Sequence, residues 1–463
     1  MRIFNTLTRT KQEFVPIEPG KVRIYACGPT VYNYIHIGNA RPLCVFDVLR
    51  RYLEYRGYDV TFVQNFTDID DKIIKKANEE GTDYKTVSEK YIKEFWTDAD
   101  GLNFKHATIH PKATENIDKI IEIVSGLIEN GHAYEVNGDV YFSANTFKEY
   151  GKLSHQPLEE LEAGARIMVG DIKHDPMDFA LWKAAKPGEP YWDSPWGKGR
   201  PGWHIECSAM NLRYLGENID IHCGGLDLIF PHHENEIAQS ECYTGKPFAN
   251  YWMHNGYINV DNVKMSKSLG NFFTVRDVAE KYGYEPIRYL MISSSYRSPI
   301  NYSTDIIEQC KASLTRLYTC RDSLDFELKN APDGELDAGV KAQLDKREEQ
   351  FGSALDDDLN TADGIAAVFD LVRDINTLVL GCGASKATIE YAAGVFDTLT
   401  GVLGLVYNRK TDDADAGIDA LIEERTKARA EKNWALADKI RDELKERGIV
   451  LEDTPMGVIW HRE

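Results

Sequence analysis

One stretch near the amino terminus limits the folds open to this chain more than any other. Residues 22–26 form a short apolar run, a polar turn follows, and apolar residues then recur at helical spacing from about residue 40 until Gly57. A second apolar run covers residues 59–64. A strand, a helix and a strand in this order predict a βαβ unit within a parallel sheet. The loop after the first strand of such a sheet is a place where phosphates bind, because helix N–H groups point into it.

Polar residues gather where this loop meets the predicted helix. His36-Ile37-Gly38-Asn39 offers two side chains that hydrogen-bond to phosphate and a glycine that lets a flat ring lie against the backbone. The same residues are also compatible with an ordinary helix cap. Far downstream lies a second loop, Lys264-Met265-Ser266-Lys267-Ser268, and a lysine-rich loop is by default a solvated surface feature.

Composition excludes several classes of protein. A net charge of −20 argues against a generic nucleic-acid binder, because such affinity comes from Lys and Arg. Eight cysteines without a Cys-x-x-Cys pair indicate reduced thiols, so any metal site must be assembled from distant segments. The first residues lack the apolar core of a signal peptide, and no apolar run approaches the roughly 20 residues that span a bilayer. We therefore expect a cytoplasmic protein without a membrane partner.

The order of predicted strands and helices along the chain indicates an α/β protein with three regions. The first is a Rossmann-like, doubly wound parallel-sheet domain, the second an α-helical bundle, and the third a small α/β module. An inserted subdomain is predicted where the alternation of strands and helices is interrupted. Within it, Asn137-Gly138 is a strong signal for a β-hairpin turn. The predicted bounds are 1–302 for the first domain (insertion about 95–201, lysine-loop region about 256–302), 303–407 for the bundle and 417–463 for the module.

Charge is unevenly distributed along the chain. Residues 331–420 contain 18 acidic and 7 basic residues, whereas residues 421–463 contain 10 acidic and 9 basic ones. If RNA contacts the tail, the candidate contacts are Arg425, Arg429, Arg441, Trp434 and Trp460. Trp434 lies on the apolar face of its predicted helix and is equally compatible with a core position.

The two loops, in this order, resemble the HIGH and KMSKS signatures of the class I aminoacyl-tRNA synthetases. Cys27, just before the first loop, makes the stretch similar to the cysteinyl members of that family. The resemblance runs from residue 1 to 463 and includes Asp453-Thr454-Pro455-x-Gly457. Two departures are visible, since Asn39 replaces the usual second histidine and Cys223 replaces the first of three glycines.

The resemblance implies an enzyme that activates L-cysteine with ATP and Mg²⁺ to cysteinyl-adenylate. It then transfers cysteine to the 3′-terminal adenosine of tRNA(Cys), and we expect a monomer. Its implied catalytic and ATP-binding residues are His36 and Asn39 on the phosphates, Gly38 against adenine, Gly225 and Asp227 on the ribose, and Lys264 and Lys267 on the triphosphate charge.

The resemblance also implies one zinc ion per chain, held by Cys27, Cys207, His232 and Glu236. From the residues alone, a buried cysteine is equally a small hydrophobic residue, and a histidine at a helix start is equally a cap. Zinc with this donor set would select the thiolate of cysteine over serine, so no editing domain is needed. For Trp203 and Thr67 the resemblance implies contact with the amino acid, with core packing as the alternative.

Two rival functions remain open at this stage. One is a related ligase that joins cysteine to an amino-sugar, as in mycothiol synthesis, which would not need the tail from 417 to 463. The other is a catalytically silent RNA-binding relative, which would have no reason to keep both lysines and all four metal ligands. Lys72-Ile73-Ile74-x-Lys76 additionally resembles a motif that some family members are described as using, with pyridoxal phosphate, to make cysteine persulfide.

Overall fold

The computed structural model describes residues 1–463 except 156–171, 265–271, 410–411, 432, 447–448, 455–456 and 463. The chain divides into two compact units. The first comprises residues 1–307 with 355–361, and the second comprises residues 308–354 with 362–463. Among the described helices, none combines the length and the apolar character needed to cross a bilayer.

The first unit contains both strands and helices. Its strands are β1 (Arg2–Asn5), β2 (Thr10–Glu13), β3 (Lys21–Ala26), β4 (Asp59–Gln64), β5 (Ala133–Val136), β6 (Asp139–Phe142), β7 (Phe179–Ala184), β8 (Trp192–Ser194), β9 (Gly197–Pro201), β10 (Ile219–Gly225), β11 (Ala249–Asn255), β12 (Ile258–Val260), β13 (Val263–Lys264) and β14 (Ile300–Tyr302). Its helices are α1 (Ile37–Tyr55), α2 (Asp71–Glu80), α3 (Tyr84–Gly101), α4 (Ile117–Glu129), α5 (Trp203–Tyr214), α6 (Glu234–Thr244), α7 (Val275–Tyr282) and α8 (Tyr284–Ile292), with α9 (Thr304–Leu328) starting at its end.

The central sheet is parallel, in the order β11-β10-β3-β4. The chain runs from β3 through α1 to β4 on one side, whereas β10 lies on the other side of β3. The carboxyl ends of β3 and β10 therefore flank a switch point, which is where ligands bind in open α/β sheets. The apolar residues that recur at helical spacing in α1 are buried, namely Leu43, Phe46, Leu49 and Leu53.

The predicted insertion forms a separate antiparallel sheet in the order β5-β6-β7-β9-β8. Asn137 and Gly138 join β5 to β6 with φ values of +55° and +86°, the conformation that a two-residue hairpin turn requires. Val140, Phe142 and Trp182 from this sheet pack with apolar residues of α4. The hairpin signal in the sequence is confirmed.

The second unit is helical and ends in a small α/β region. After the greater part of α9 come α10 (Ala338–Asp356), α11 (Thr361–Leu378), α12 (Lys386–Leu403), α13 (Asp412–Ala430), α14 (Trp434–Glu446), β15 (Ile449–Thr454) and β16 (Gly457–Arg462). The sequence predicts a polar linker at residues 408–416, but α13 begins at Asp412. Acidic residues are favourable at a helix N-terminus, so acidity alone did not exclude a helix there.

Candidate active site

Two loops pack backbone against backbone at the carboxyl edge of the parallel sheet. Gly28 follows β3, and its N–H donates to Asn65 Oδ1, after β4, at 2.9 Å. A Cβ atom at position 28 would lie 1.6 Å from the carbonyl oxygen of Asn65, so only glycine permits this approach. The N–H of Cys27 donates to the carbonyl of Cys223 in β10 at 3.3 Å. Cys27 is thereby fixed at the switch point of the sheet.

The start of α1 places the predicted phosphate-binding residues. His36 occupies the N-cap position, and its N–H donates to Asn39 Oδ1 at 3.1 Å. The other end of the Asn39 amide is an NH₂ group, a donor that suits phosphate oxygens. The side-chain oxygen of Asn39 therefore caps the helix, as the alternative interpretation predicts. The NH₂ group of the same side chain is not used in this cap and can donate to a ligand.

The segment that follows the second signature loop lies beside the same helix start. Lys264 is the last residue of β13, and Lys267 lies outside the described residues. The segment that follows returns to the loop before α1, because Ile37 N–H donates to the Phe273 carbonyl at 3.0 Å and Val275 N–H donates to the Ile35 carbonyl at 2.9 Å.

The four predicted metal ligands meet in one cluster. Their donor atoms all lie within 4.8 Å of one another. Cys27 Sγ is 3.9 Å from Cys207 Sγ and 3.4 Å from Glu236 Oε1. His232 Nε2 is 3.0 Å from the same Glu236 oxygen. Cys207, His232 and Glu236 are buried, and Cys27 is partly buried.

The local helix geometry at His232 differs from the prediction. The sequence predicts His232 and Glu236 one turn apart on one helix, opened by Pro231. Instead α6 begins at Glu234, and Ile229–His233 forms a wider, π-helical turn in which Phe230 is extended at φ −136° and ψ 133°. The turn still directs the imidazole of His232 toward Glu236.

Electrostatics in the cluster favour the ionised forms of Glu236 and Cys207. Burial opposes charge on Glu236, but His222 and His232 outweigh it and lower the pKa of Glu236 to about 2. A hydrogen bond from Cys27 lowers the pKa of Cys207 to about 6, whereas burial raises the pKa of Cys27 well above its usual value. A thiolate, a carboxylate and an imidazole that face one point form a donor set that fits zinc.

Four further histidines surround the cluster. His204 Nδ1 lies 2.9 Å from His232 Nδ1, which orients that ring so that its Nε2 atom faces Glu236. On the opposite side, His222 Nε2 lies 2.9 Å from Glu236 Oε2.

His233 and His254 extend this arrangement behind Cys27. His233 Nε2 is 3.3 Å from Cys27 Sγ, and its Nδ1 is 2.8 Å from His254 Nε2. Cys27, Glu236, His222 and His233 thus make a second group of donor atoms within 4.8 Å. His254 was missed in the sequence, although its place next to the end of β11 points to this edge.

Trp203 and Thr67, the predicted contacts of the amino acid, lie in different surroundings. Trp203 is 40% exposed, lines the cavity beside the cluster, and has its ring centroid 4.3 Å from that of His232. Thr67 is buried, its hydroxyl donates to Glu206 Oε2 at 2.9 Å, and it is not among the described residues that line the cavity.

One cavity brings most of the predicted residues together. It has a volume of about 560 Å³, the size of a site for a small ligand. Its lining includes Cys27, His36, Gly38, Asn39, Trp203, Gly225 and Asp227. A Cβ atom on Gly225 would lie 2.4 Å from Asp227 Oδ1, so glycine leaves room for that carboxylate.

Two cavity residues were missed in the sequence analysis. Gln64 ends β4 and Asn255 ends β11; both are 4% exposed and line the cavity. The side-chain oxygen of each has no hydrogen-bond partner among the described residues. Their position at strand ends was readable from the sequence, but their burial was not.

Comparison with known proteins identifies the family. Residues 13–312 match the model described as the tRNA synthetases class I (C) catalytic domain. Residues 350–407 match a DALR domain, and residues 411–460 match the cysteinyl-tRNA ligase anticodon binding domain. The chain is 57% identical over 468 aligned positions to the cysteine–tRNA ligase of Clostridioides difficile (strain 630), covering 100% of both chains.

The chain belongs to the cysteinyl family of class I tRNA synthetases.

Solved structures show the same fold across the wider class. The chain is similar to methionyl-tRNA synthetase of Mycobacterium tuberculosis in complex with methionyl-adenylate, with a TM-score of 0.60 and 16% identity over 83% of this chain and 89% of that one. It is also similar to LeuRS in a ternary complex from Agrobacterium radiobacter K84, with a TM-score of 0.61 and 12% identity over 84% of each chain. The predicted Rossmann-like fold class is confirmed for this family member.

Proposed function

We propose that this chain activates L-cysteine with ATP to cysteinyl-adenylate and transfers the cysteinyl group to the 3′-terminal adenosine of tRNA(Cys). The observation that carries the proposal is the cluster of Cys27, Cys207, His232 and Glu236 beside a cavity that also contains the residues of the first signature loop. The full-length similarity to a cysteine–tRNA ligase supports it.

Zinc is the metal that the donor set suits best, at one ion per chain. When bound, it supplies a soft centre that prefers the sulfur of cysteine to the hydroxyl of serine. We favour Cys27, Cys207, His232 and Glu236 as ligands over the group with two further histidines, because this set contains the thiolate of Cys207 and the orienting contact from His204. Trp203 then forms a wall of the amino-acid pocket. Thr67 stabilises the loop after β4 through the hydrogen bond from its hydroxyl to Glu206.

ATP occupies the rest of the cavity. The imidazole of His36 and the amide nitrogen of Asn39 bind phosphate oxygens, and Gly38 leaves space for the adenine ring. Gly225 and Asp227 hold the ribose. Lys264 and Lys267, with Mg²⁺, stabilise charge that develops on the triphosphate when the carboxylate of cysteine attacks the α-phosphate. Such chemistry depends on positioning and electrostatics, so no general base is required.

The carboxyl-terminal region contacts tRNA. Trp434 is 58% exposed, so it is available for stacking on an unpaired base and is not a core residue. The side chain of Arg441 is 56% exposed, whereas Arg425 is buried and is a weaker candidate for contact with RNA. The enzyme acts as a monomer in the cytoplasm.

A small-molecule cysteine ligase is the second candidate, because it would share the catalytic unit. The match of residues 411–460 to an anticodon binding domain disfavours it. The distinguishing experiment is ATP–pyrophosphate exchange with each of the standard amino acids, followed by cysteine transfer to tRNA(Cys) or to an amino-sugar. We expect exchange with cysteine alone and transfer to tRNA. Transfer to the amino-sugar only would favour the second candidate.

A further inference from the structure

Asp358 lies between α10 and α11 in the chain, in the segment 355–361 that belongs to the first compact unit. Its side chain is buried and accepts three hydrogen bonds from residues of that unit. Oδ1 accepts from the N–H of Phe4 and from the hydroxyl of Tyr296, both at 2.8 Å, and Oδ2 accepts from Arg297 Nε at 2.9 Å. The backbone of Asp358 is left-handed, with φ at +65°, a conformation that few residues other than glycine, Asn and Asp adopt. The side chain therefore fixes this segment in one position.

The loop 293–299, which joins α8 to β14, supplies two of the three donors. The same loop contacts the start of α1. Arg41, the fifth residue of α1, is fully buried, and its Nη2 atom donates to the carbonyl of Ser295 at 3.0 Å. Its Nη1 atom donates to the carbonyl of Tyr257, after β11, at 3.1 Å. One guanidinium thus joins α1, the loop and the segment that follows β11.

The loop also fixes part of the cavity wall. The N–H of Gly256 donates to the carbonyl of Tyr296 at 2.8 Å, so Tyr296 contacts Asp358 with its hydroxyl and Gly256 with its main chain. A Cβ atom on Gly256 would lie 2.6 Å from the carbonyl oxygen of Ser298, so glycine is required for this approach. Gly256 lines the cavity together with the residues of the first signature loop. The hydrogen bonds of Asp358 are therefore connected to the cavity through one short loop.

We propose that Asp358 is a positioning residue for adenylate formation, which acts through the loop 293–299 on the start of α1. It is not among the described residues that line the cavity, so its action on ATP is indirect. Arg41 follows Asn39 by two positions in the same helix, and a helix moves as a rigid element, so a change in the Arg41 contacts shifts the phosphate-binding residues as well. This assignment rests on the proposed function, in which His36 and Asn39 bind the phosphates of ATP.

The cysteine end of the site is positioned by other elements. The metal ligands lie after β3, in α5 and at the start of α6, whereas the contacts of Asp358 lead to α1 and to the segment after β11. We therefore expect a loosened loop to affect ATP more than cysteine.

Three substitutions weaken this connection at different points. Asp358→Asn keeps the size of the side chain and suits the left-handed backbone, but its NH₂ group cannot accept the hydrogen bond from Arg297. Tyr296→Phe removes only the hydroxyl that donates to Asp358. Arg41→Lys keeps the positive charge, but an ammonium group lacks the planar fork that reaches two carbonyl groups at once.

Asp357→Asn is the matched control, because it is the same substitution one residue earlier. The side chain of Asp357 is 43% exposed and pairs with Arg2 and Lys11. ATP–pyrophosphate exchange gives the KM for ATP and the KM for cysteine of each variant. Titration of the sites that form adenylate gives the active fraction, and thermal unfolding and zinc content report whether the fold is retained.

We expect each of the three variants to raise the KM for ATP about 10-fold, the effect of one weakened hydrogen bond to a charged group. The KM for cysteine and the zinc content should stay nearly unchanged. Asp358→Asn combined with Arg41→Lys should cost little more than one of them alone, because both act through the same loop. Asp357→Asn should leave both KM values unchanged.

A double variant whose loss is the product of the two single losses would overturn the proposal, because independent sites combine in this way. So would KM values for ATP and cysteine that rise equally, or a fall in the active fraction with a normal KM for ATP, which would assign Asp358 to stability alone. If Asp358→Asn does not fold, Tyr296→Phe combined with Arg41→Lys decides in its place. Absence of exchange in the unaltered protein would instead refute the proposed function itself.

Discussion

At the scale of single residues, the sulfur of Cys207 is the donor atom whose surroundings most favour metal binding. It is buried, its pKa is lowered to about 6 by the hydrogen bond from Cys27, and it faces His232 and Glu236. A buried cysteine usually has a raised pKa, as Cys223 does through burial. Geometry marks Cys207 as the candidate ligand, because its sulfur lies within 4.8 Å of the other donor atoms of the cluster, a group that does not include Cys223.

Cys207→Ser should remove the metal together with selectivity. A hydroxyl stays protonated near neutral pH and is a hard donor, so we expect zinc to fall from about one ion per chain to near zero. Discrimination against serine in pyrophosphate exchange should fall with it. Elemental analysis and exchange assays measure the two effects. Cys382→Ser, which changes an exposed cysteine, should alter neither. Active protein without zinc would contradict the metal assignment.

Lys267→Ala tests whether Lys267 acts on the rate of adenylation or on the binding of cysteine. Lys267 is proposed to act on charge that develops as the triphosphate reacts, so its loss should lower the adenylation rate by about 10²–10³-fold. The affinity for cysteine should change little. Single-turnover adenylate formation measures the rate, and Lys281→Ala, an exposed lysine of α7, serves as the control. Normal exchange kinetics in the Lys267 variant would refute the role.

At the scale of elements, the close approach of the loops after β3 and β4 sets the position of Cys27. Gly28→Ala should force these loops apart, because its Cβ atom would overlap the Asn65 carbonyl. A displacement of about 1 Å at a reacting centre costs about 100-fold in rate. We therefore expect kcat/KM for exchange to fall by about that factor. Gly394→Ala in α12, where nothing lies within 4 Å of the added Cβ, should leave exchange unchanged. Equal activity of both variants would show that the loops can move apart freely.

A buried ion pair joins α1 to α8. Arg288 Nη2 lies 2.6 Å from Asp47 Oδ2, and neither side chain is exposed. Arg288→Met should lower the free energy of unfolding of the catalytic unit by about 3 kcal/mol, since it leaves a buried carboxylate with less compensation. Denaturant unfolding measures the change. Lys246→Met, which breaks an exposed pair with Glu217, should cost less than about 1 kcal/mol. Similar costs for the two variants would contradict this difference.

At the scale of the whole molecule, the adenylation residues and the anticodon-domain match occupy different parts of the chain. All candidate site residues fall between Cys27 and Lys267, whereas the anticodon-domain match covers residues 411–460. A protein truncated near Thr411 should therefore still make cysteinyl-adenylate. Its transfer of cysteine to tRNA should fall sharply, because contacts from exposed residues such as Trp434 are lost.

Exchange and tRNA charging by the truncated and full-length proteins measure these two effects separately. Loss of exchange on truncation would show that the tail supports the catalytic fold. If both proteins charge tRNA equally, or if neither does, the proposed role of the tail is wrong and the small-molecule ligase becomes the better candidate.

The sequence by itself determined the local elements and the family. Residues 59–64 were predicted as a strand and form β4 with those bounds, and Asn137-Gly138 predicted the turn between β5 and β6. Such features follow from the spacing of apolar residues and from backbone preferences, which act over a few neighbouring positions. The signature residues supplied the family because a motif is itself a local pattern.

Only the tertiary structure decided which distant side chains meet and how deeply each is buried. The sequence did not single out His254 or Asn255, and it left Trp434 open between core and surface. The turn before α6 also differed from the predicted helix. Burial and contact depend on how separate segments pack. The spacing of apolar residues along the sequence does not show which distant segment will cover a given side chain. The metal-ligand cluster, drawn from three segments, existed in the sequence as scattered residues and became a candidate site through folding.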